Sequence, residues 1–174
     1  MPAPVASVNP ATLRTALGSF ASSVTVLTTR DATGRSLGMT ATAFSSLSIE
    51  ARTILVCVNR DTRTHAAITR RGRFGVNVLA SANRAVAEHC ARPRADKGLD
   101  PEWLDFWPAW HSPALRGAVA FLDCKVKQEI EADTHSIIIG RITGLGLAES
   151  DPADPLLYFQ GAFRELRASL VPAI

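Results

Sequence analysis

Strand-like runs recur along this chain at spacings mostly too short for helical crossovers, and that rhythm limits the folds open to it. Residues 24–29, 36–44, 53–58, 74–79, 118–131, 134–148 and 156–164 are rich in β-branched and apolar side chains. Asp31-Ala32-Thr33-Gly34 reads as a turn, so the first two runs predict a hairpin. Residues 53–58 form a continuous apolar run, the signature of a buried strand. Helical signals are fewer. Asn9-Pro10 opens a helix running through Phe20, with Asn9 as cap, Pro10 in the first turn, and Leu13, Leu17 and Phe20 at helical spacing. Residues 62–71 predict a short helix ended by Gly72, and residues 82–90 predict another. Strands dominate and two or three helices pack outside them. This predicts a mainly β, mostly antiparallel barrel rather than alternating βαβ units.

The 174 residues read as one domain, and an apolar fraction of 47% supplies a sizeable core. No apolar run approaches the roughly 18–20 residues that span a bilayer. Met1-Pro2-Ala3-Pro4 lacks the basic and apolar segments of a secretory signal. Cys57, Cys90 and Cys124 are widely spaced and form no CxxC pair. The expectation is a cytoplasmic protein whose cysteines stay reduced.

The net charge is only +3, yet Arg60, Arg63, Arg70, Arg71 and Arg73 crowd one region, with Arg92 and Arg94 following. Such a cluster suits either an anionic partner or a solvated helix face. Neither a helix-turn-helix pattern nor basic residues interleaved with aromatics supports a nucleic-acid partner. Gly34-Arg35-Ser36-Leu37-Gly38 matches G-x-S-x-G, but it follows a turn and leads into a strand. The strand–elbow–helix context of a nucleophilic serine is missing. No Gly-rich phosphate loop is found. His65, His89, His111 and His135 lie too far apart for a local metal motif.

Four segments carry the chemistry that remains. Gly38-Met39-Thr40-Ala41-Thr42-Ala43-Phe44-Ser45-Ser46-Leu47-Ser48 is built from small side chains. A flat ligand can lie against its main chain, with peptide groups and hydroxyls reaching the ligand's polar edge. Asn59, Arg60, Asp61 and Thr62 stand between a buried strand and a helix N-terminus, where amides, hydroxyls and a guanidinium suit both capping and phosphate. Asn77 is polar within an apolar strand, so it pairs with a neighbouring loop or with a ligand. His135 enters a strand beside the turn at Asp133-Thr134, in position to face a cleft. The segment from Ala91 to Pro113 holds all three tryptophans and four prolines and predicts a long loop with one helical turn. Trp103, Trp107 and Trp110 there suit a lid, a dimer contact, a docking face or simple packing.

In order, these segments resemble the short-chain flavin reductases, the reductase components of two-component flavin monooxygenases, in the FMN-binding split-barrel group. The resemblance runs from Leu13 to Leu166. It includes Leu17-Gly18-Ser19-Phe20, the small-residue stretch, residues 74–79, Ser112-Pro113-Ala114-Leu115-Arg116-Gly117, Cys124, Thr134-His135, Pro155-Leu156-Leu157-Tyr158 and Gly161-Ala162-Phe163. Two departures are visible. Many members carry Gly-Asp-His where this chain has Asp133-Thr134-His135, and Asn-x-Phe where it has Thr42-Ala43-Phe44.

The resemblance implies a split barrel that passes hydride from NADH or NADPH to FMN or FAD. It also implies a homodimer with an oxygenase partner, and no metal. It implies that Thr40, Ala41, Thr42 and Ser46 line the flavin, with Asn59 and Arg60 near its phosphate. Ser45, Cys57, Thr62, Phe74 and Asn77 complete the cofactor-binding set, and His135 is the catalytic candidate on the nicotinamide side. The same resemblance admits a non-catalytic flavin carrier.

Overall fold

The computed structural model describes residues 8–93, 96–148 and 154–166; Met1–Pro4 and Arg94 lie outside this range. Helix α1 (Pro10–Gly18) is followed by β1 (Ser22–Ser23), β2 (Thr25–Arg30), β3 (Ser36–Ala41), β4 (Phe44–Ser48) and β5 (Thr53–Asn59). Next come α2 (Arg63–Arg71), β6 (Arg73–Val78), α3 (Arg84–Ala91), β7 (Leu104–Asp105) and β8 (Ala114–Leu115). The chain closes with β9 (Ala120–Ala132), β10 (His135–Leu147), β11 (Leu157–Phe159) and β12 (Ala162–Arg164). Every strand pairing among the described residues is antiparallel. Among those residues, no helix is long and apolar enough to cross a membrane.

The main sheet has seven strands in the order β3-β2-β6-β9-β10-β5-β4. Its two edge strands, β3 and β4, are consecutive in sequence and joined only by Thr42 and Ala43. Three residue steps reach at most about 11 Å. A flat seven-stranded sheet is roughly 29 Å wide. The sheet must therefore curl until its edges almost meet, which gives a β-barrel that is split at this corner. The expected single strand over 36–44 is broken there.

The concave side holds Leu27, Met39, Ile54, Val56, Val58, Phe74, Val76 and Ile138, with Ile68 of α2 packed among them. Thr62 caps α2 by accepting from the His65 N–H, and Gly72 ends it at φ 66°, in the left-handed region that glycine enters freely. The convex side of β2 and β3 is covered by α3 through Val86, Ala87 and Cys90, with Leu79, Leu99 and Leu115 alongside. The long loop contains the expected single turn, Pro101–Trp103, followed by the short β7–β8 pair. The expected strand over 156–164 is instead the tight β11–β12 hairpin, reversed at Gln160 and Gly161 with φ 49° and 76°. Ser36 opens β3 within the sheet and is largely buried there.

Candidate functional site

A groove of 650 Å³ opens beside the split, within the range of about 300–1,000 Å³ usual for small-molecule sites. Its floor is Thr42, Ala43, Phe44 and Ser45, with Leu55 and Cys57 of β5 behind. β4 is an edge strand, so alternate N–H and C=O groups of its main chain face away from β5. The small side chains at 42, 43 and 45 leave that backbone accessible. The opposite wall is made by Arg14, Leu17, Gly18 and Phe20 at the end of α1, and by Tyr158 and Gly161 of the β11–β12 hairpin. The Gln160 N–H donates to the Gly18 carbonyl at 2.8 Å and fixes the two parts of this wall to each other.

Alternation along β5 places Leu55, Cys57 and Asn59 on the outer face while Ile54, Val56 and Val58 fill the core. His135 of β10 stands directly opposite Asn59, and Ile137 opposite Cys57. Groove floor and His135 therefore lie on one face of the sheet, with His135 at its end. His135 is exposed, and its Nδ1 shares a 2.8 Å hydrogen bond with Thr134 Oγ1. The turn below it contains Asp133 at φ 50°, a conformation that Asp tolerates better than most side chains.

The Asn59–Thr62 loop is tied to this turn. The Arg60 N–H donates to the Thr134 carbonyl at 3.1 Å, and the Arg60 guanidinium pairs with Glu131 at 2.9 Å. Asn59 Oδ1 accepts from the Asp61 N–H at 2.8 Å, and Thr62 Oγ1 donates to the Asn59 carbonyl at 2.8 Å. The Arg60–Glu131 pair is exposed and correspondingly weak, so it does not lock the guanidinium away from an arriving anion.

The other expected residues divide into four groups. Thr42, Ser45 and Cys57 line the groove. Ser46 alternates to the far side of β4 and lines a separate 410 Å³ hollow with Ile49, Arg52 and Leu145. Thr40 Oγ1 donates to the Ala87 carbonyl at 2.6 Å, so that side chain faces α3, and the Ala41 side chain enters the core. Phe74 and Asn77 are core residues, each at 0% exposure, which corrects their placement against a ligand. Phe74 packs inside the curled sheet. Asn77 Nδ2 donates to the Val26 carbonyl at 3.0 Å and to Thr28 Oγ1 at 3.3 Å, while its Oδ1 accepts from the Leu115 N–H at 2.7 Å. Of the two roles open to Asn77, the structure selects loop pairing.

Sequence reasoning missed Arg14, Phe20, Tyr158 and Gly161 as parts of the wall. A signal was present in α1. Leu13, Leu17 and Phe20 form an apolar stripe, yet the helix buries no residue and Phe20 is 78% exposed. Among the described residues the Arg14 guanidinium forms no ion pair, which leaves a positive charge at the groove.

The three cysteines are free. Burial pushes the Cys90 and Cys124 thiols up to about 12, whereas Cys57 is half-buried at the groove.

Comparison with known proteins places this geometry in a family. Residues 17–167 match the flavin reductase like domain. The chain is 35% identical over 155 residues to a probable flavin reductase of Rhizobium meliloti (strain 1021), covering 89% of this chain and 48% of that protein. It is 32% identical over 157 residues to the flavin-dependent monooxygenase reductase subunit HsaB of Rhodococcus jostii (strain RHA1), covering 90% and 78%. The chain thus spans about half the length of the first relative and over three quarters of the second. The solved structure of flavin reductase PheA2 in its native state superposes with a TM-score of 0.81 at 30% identity, over 92% of this chain and 100% of that one. With the split sheet, the backbone-floored groove and a match over almost the whole described length, the chain belongs to the flavin reductase like domain family.

Proposed function

We propose that this protein is an NADH- or NADPH-dependent flavin reductase that reduces FMN or FAD and delivers the reduced flavin to a separate monooxygenase. The observation that carries this reading is the groove floored by edge-strand backbone, with His135 at the end of the same face. The residues present fit a flavin. Thr42, Ala43 and Ser45 leave room for a planar ring and expose peptide donors and acceptors to its polar edge. Leu17, Phe20 and Tyr158 supply apolar surface, and Arg14 and Arg60 offer positive charge for a phosphate.

Bound there, the flavin supplies the ring atom that accepts hydride from the reduced nicotinamide. The chain's own contribution is positional. β4 and α1 hold the two faces of the groove apart at a fixed spacing. His135 orients the nicotinamide end and stabilises charge as it develops. Hydride transfer needs no side-chain base, so no proton relay is assigned. The monooxygenase partner is supported by the reductase-subunit relative. A homodimer is supported by the exposed stripe of α1 beside the groove, which a second copy would cover. A cytoplasmic location accords with three unpaired cysteines.

Steady-state kinetics with both nicotinamides and both flavins test the proposal. Loss of nicotinamide absorbance that requires protein and flavin together is the expected result. Flavin binding without nucleotide oxidation would replace the enzyme with a flavin carrier. In a His135→Ala variant, the KM for the nucleotide rises more than the flavin Kd. Equal change in both would remove His135 from the nicotinamide side.

A further inference from the structure

Behind His135, on the inner side of the sheet, lies a small polar cluster that the reading above does not use. His65 is in the first turn of α2, Glu129 is on β9 and Ser136 is on β10. His65 Nε2 stands 2.7 Å from Glu129 Oε1 and 3.0 Å from Ser136 Oγ. The second oxygen of Glu129 accepts from Thr69 Oγ1 at 3.0 Å, one turn further along α2. A carboxylate only accepts, so the ring nitrogen facing it carries a proton. The His65 and Glu129 side chains are only 13% and 22% exposed, and Ser136 is fully buried. A charge-assisted bond with this little access to water is stronger than a surface pair.

The cluster occupies a specific place in the fold. Ser136 is the residue after His135, and its side chain points to the opposite face of β10. Thr62, the cap of α2, holds the His65 N–H through its own hydroxyl at 3.1 Å. The same three residues thus join the start of α2, which presents Asn59–Thr62, to the first residues of β10, which present His135. On the outer side, Arg60 already ties that loop to Thr134 and Glu131.

Resting on the reductase reading, we infer that His65, Glu129 and Ser136 are positioning residues: they clamp the His135 end of β10 to the Asn59–Thr62 loop and so set where His135 meets the nucleotide. None of the three touches the groove. Their effect on the reaction passes through His135.

The test is a comparison in two backgrounds. Glu129→Ala in the wild-type chain raises the nucleotide KM roughly fivefold, while the flavin Kd stays within about twofold. In a His135→Ala background the same substitution adds almost nothing to KM, because the residue it acts through is gone. Glu129→Gln restores wild-type behaviour: the amide oxygen accepts from His65 and Thr69 can accept from the amide nitrogen. An equal rise in both backgrounds, a matching loss of flavin affinity, or no rise at all overturns the inference. If Glu129→Ala does not fold, Ser136→Ala carries the same comparison with the loss of a single hydroxyl.

A second readout is independent of turnover. The imidazole NMR signals of His135 in the flavin-free protein shift in Glu129→Ala and hold in Glu129→Gln. Unmoved signals in Glu129→Ala, or equal shifts in both variants, overturn the link. A wild-type protein that oxidises no nicotinamide ends the reductase reading and leaves this measurement to decide the link.

Discussion

Replacing Asn77 by Ala separates a structural residue from a ligand contact. Asn77 is completely buried, and its amide satisfies the Val26 carbonyl, the Thr28 hydroxyl and the Leu115 N–H. Thr28 loses little, because its hydroxyl already donates to the Pro113 carbonyl at 2.5 Å. The Leu115 N–H is left without the 2.7 Å acceptor it has now, whereas the Val26 carbonyl, paired with residue 77 across the β2–β6 ladder, keeps a backbone donor. Stranding that buried N–H costs about 1–3 kcal/mol, and a loss of that size is expected. For a chain of this size that lowers Tm by about 2–12 °C. The damage falls on the junction between β6 and β8, some distance in the fold from the groove floor on β4 and β5. Urea denaturation followed by tryptophan fluorescence gives the stability. Flavin titration at a temperature where the variant remains folded gives the affinity, expected within about twofold of wild type. A variant that melts like wild type yet binds flavin poorly would refute this account of Asn77.

Three further outcomes are expected. Gly140→Ala places a methyl 2.7 Å from Cζ of the buried Phe74 and 3.3 Å from Cys124 Cβ, so urea unfolding should show a loss of about 1–3 kcal/mol with an unchanged m-value. A thiol reagent should label Cys57 rapidly and Cys90 and Cys124 only on unfolding, since burial holds the latter two at about 12; saturating FMN should slow the Cys57 reaction. Burial alone would raise the Glu129 carboxyl, but hydrogen bonds from Ser136, His65 and Thr69 prevail and hold it below the ordinary 4.5. Because the folded value is the lower one, this contribution is complete above about pH 4.5 and disappears as pH falls through the folded value. Glu129→Gln should therefore flatten the acid side of the Tm–pH profile between neutral pH and pH 3, and an unchanged slope would contradict the assignment.

The strands were legible in the sequence wherever β-branched and apolar residues ran without interruption, as in β2, β5, β6, β9 and β10. Capping chemistry marked both ends of α2, at Thr62 and Gly72. What escaped was long-range. The break at Thr42–Ala43 exists because the two edges of the curled sheet meet there, and no local propensity encodes that closure. The final hairpin looked like one strand because only Gln160 and Gly161 reverse it. At the groove, Thr42, Ser45 and Cys57 stood out in the sequence as small or polar residues beside apolar runs. Phe74 and Asn77 carried the same kind of signal for another reason: one fills the interior and the other serves a loop crossing from β8. The wall made by α1 was hidden because its apolar stripe looked like any helix face seeking a core.

The floor of the groove is peptide rather than side chain, and a peptide group is the one part of a protein that no codon change removes. The side chains at 42, 43 and 45 can change without disturbing the surface that this backbone presents. Drift along β4 is then free to reshape the groove's lining, while the platform beneath it persists.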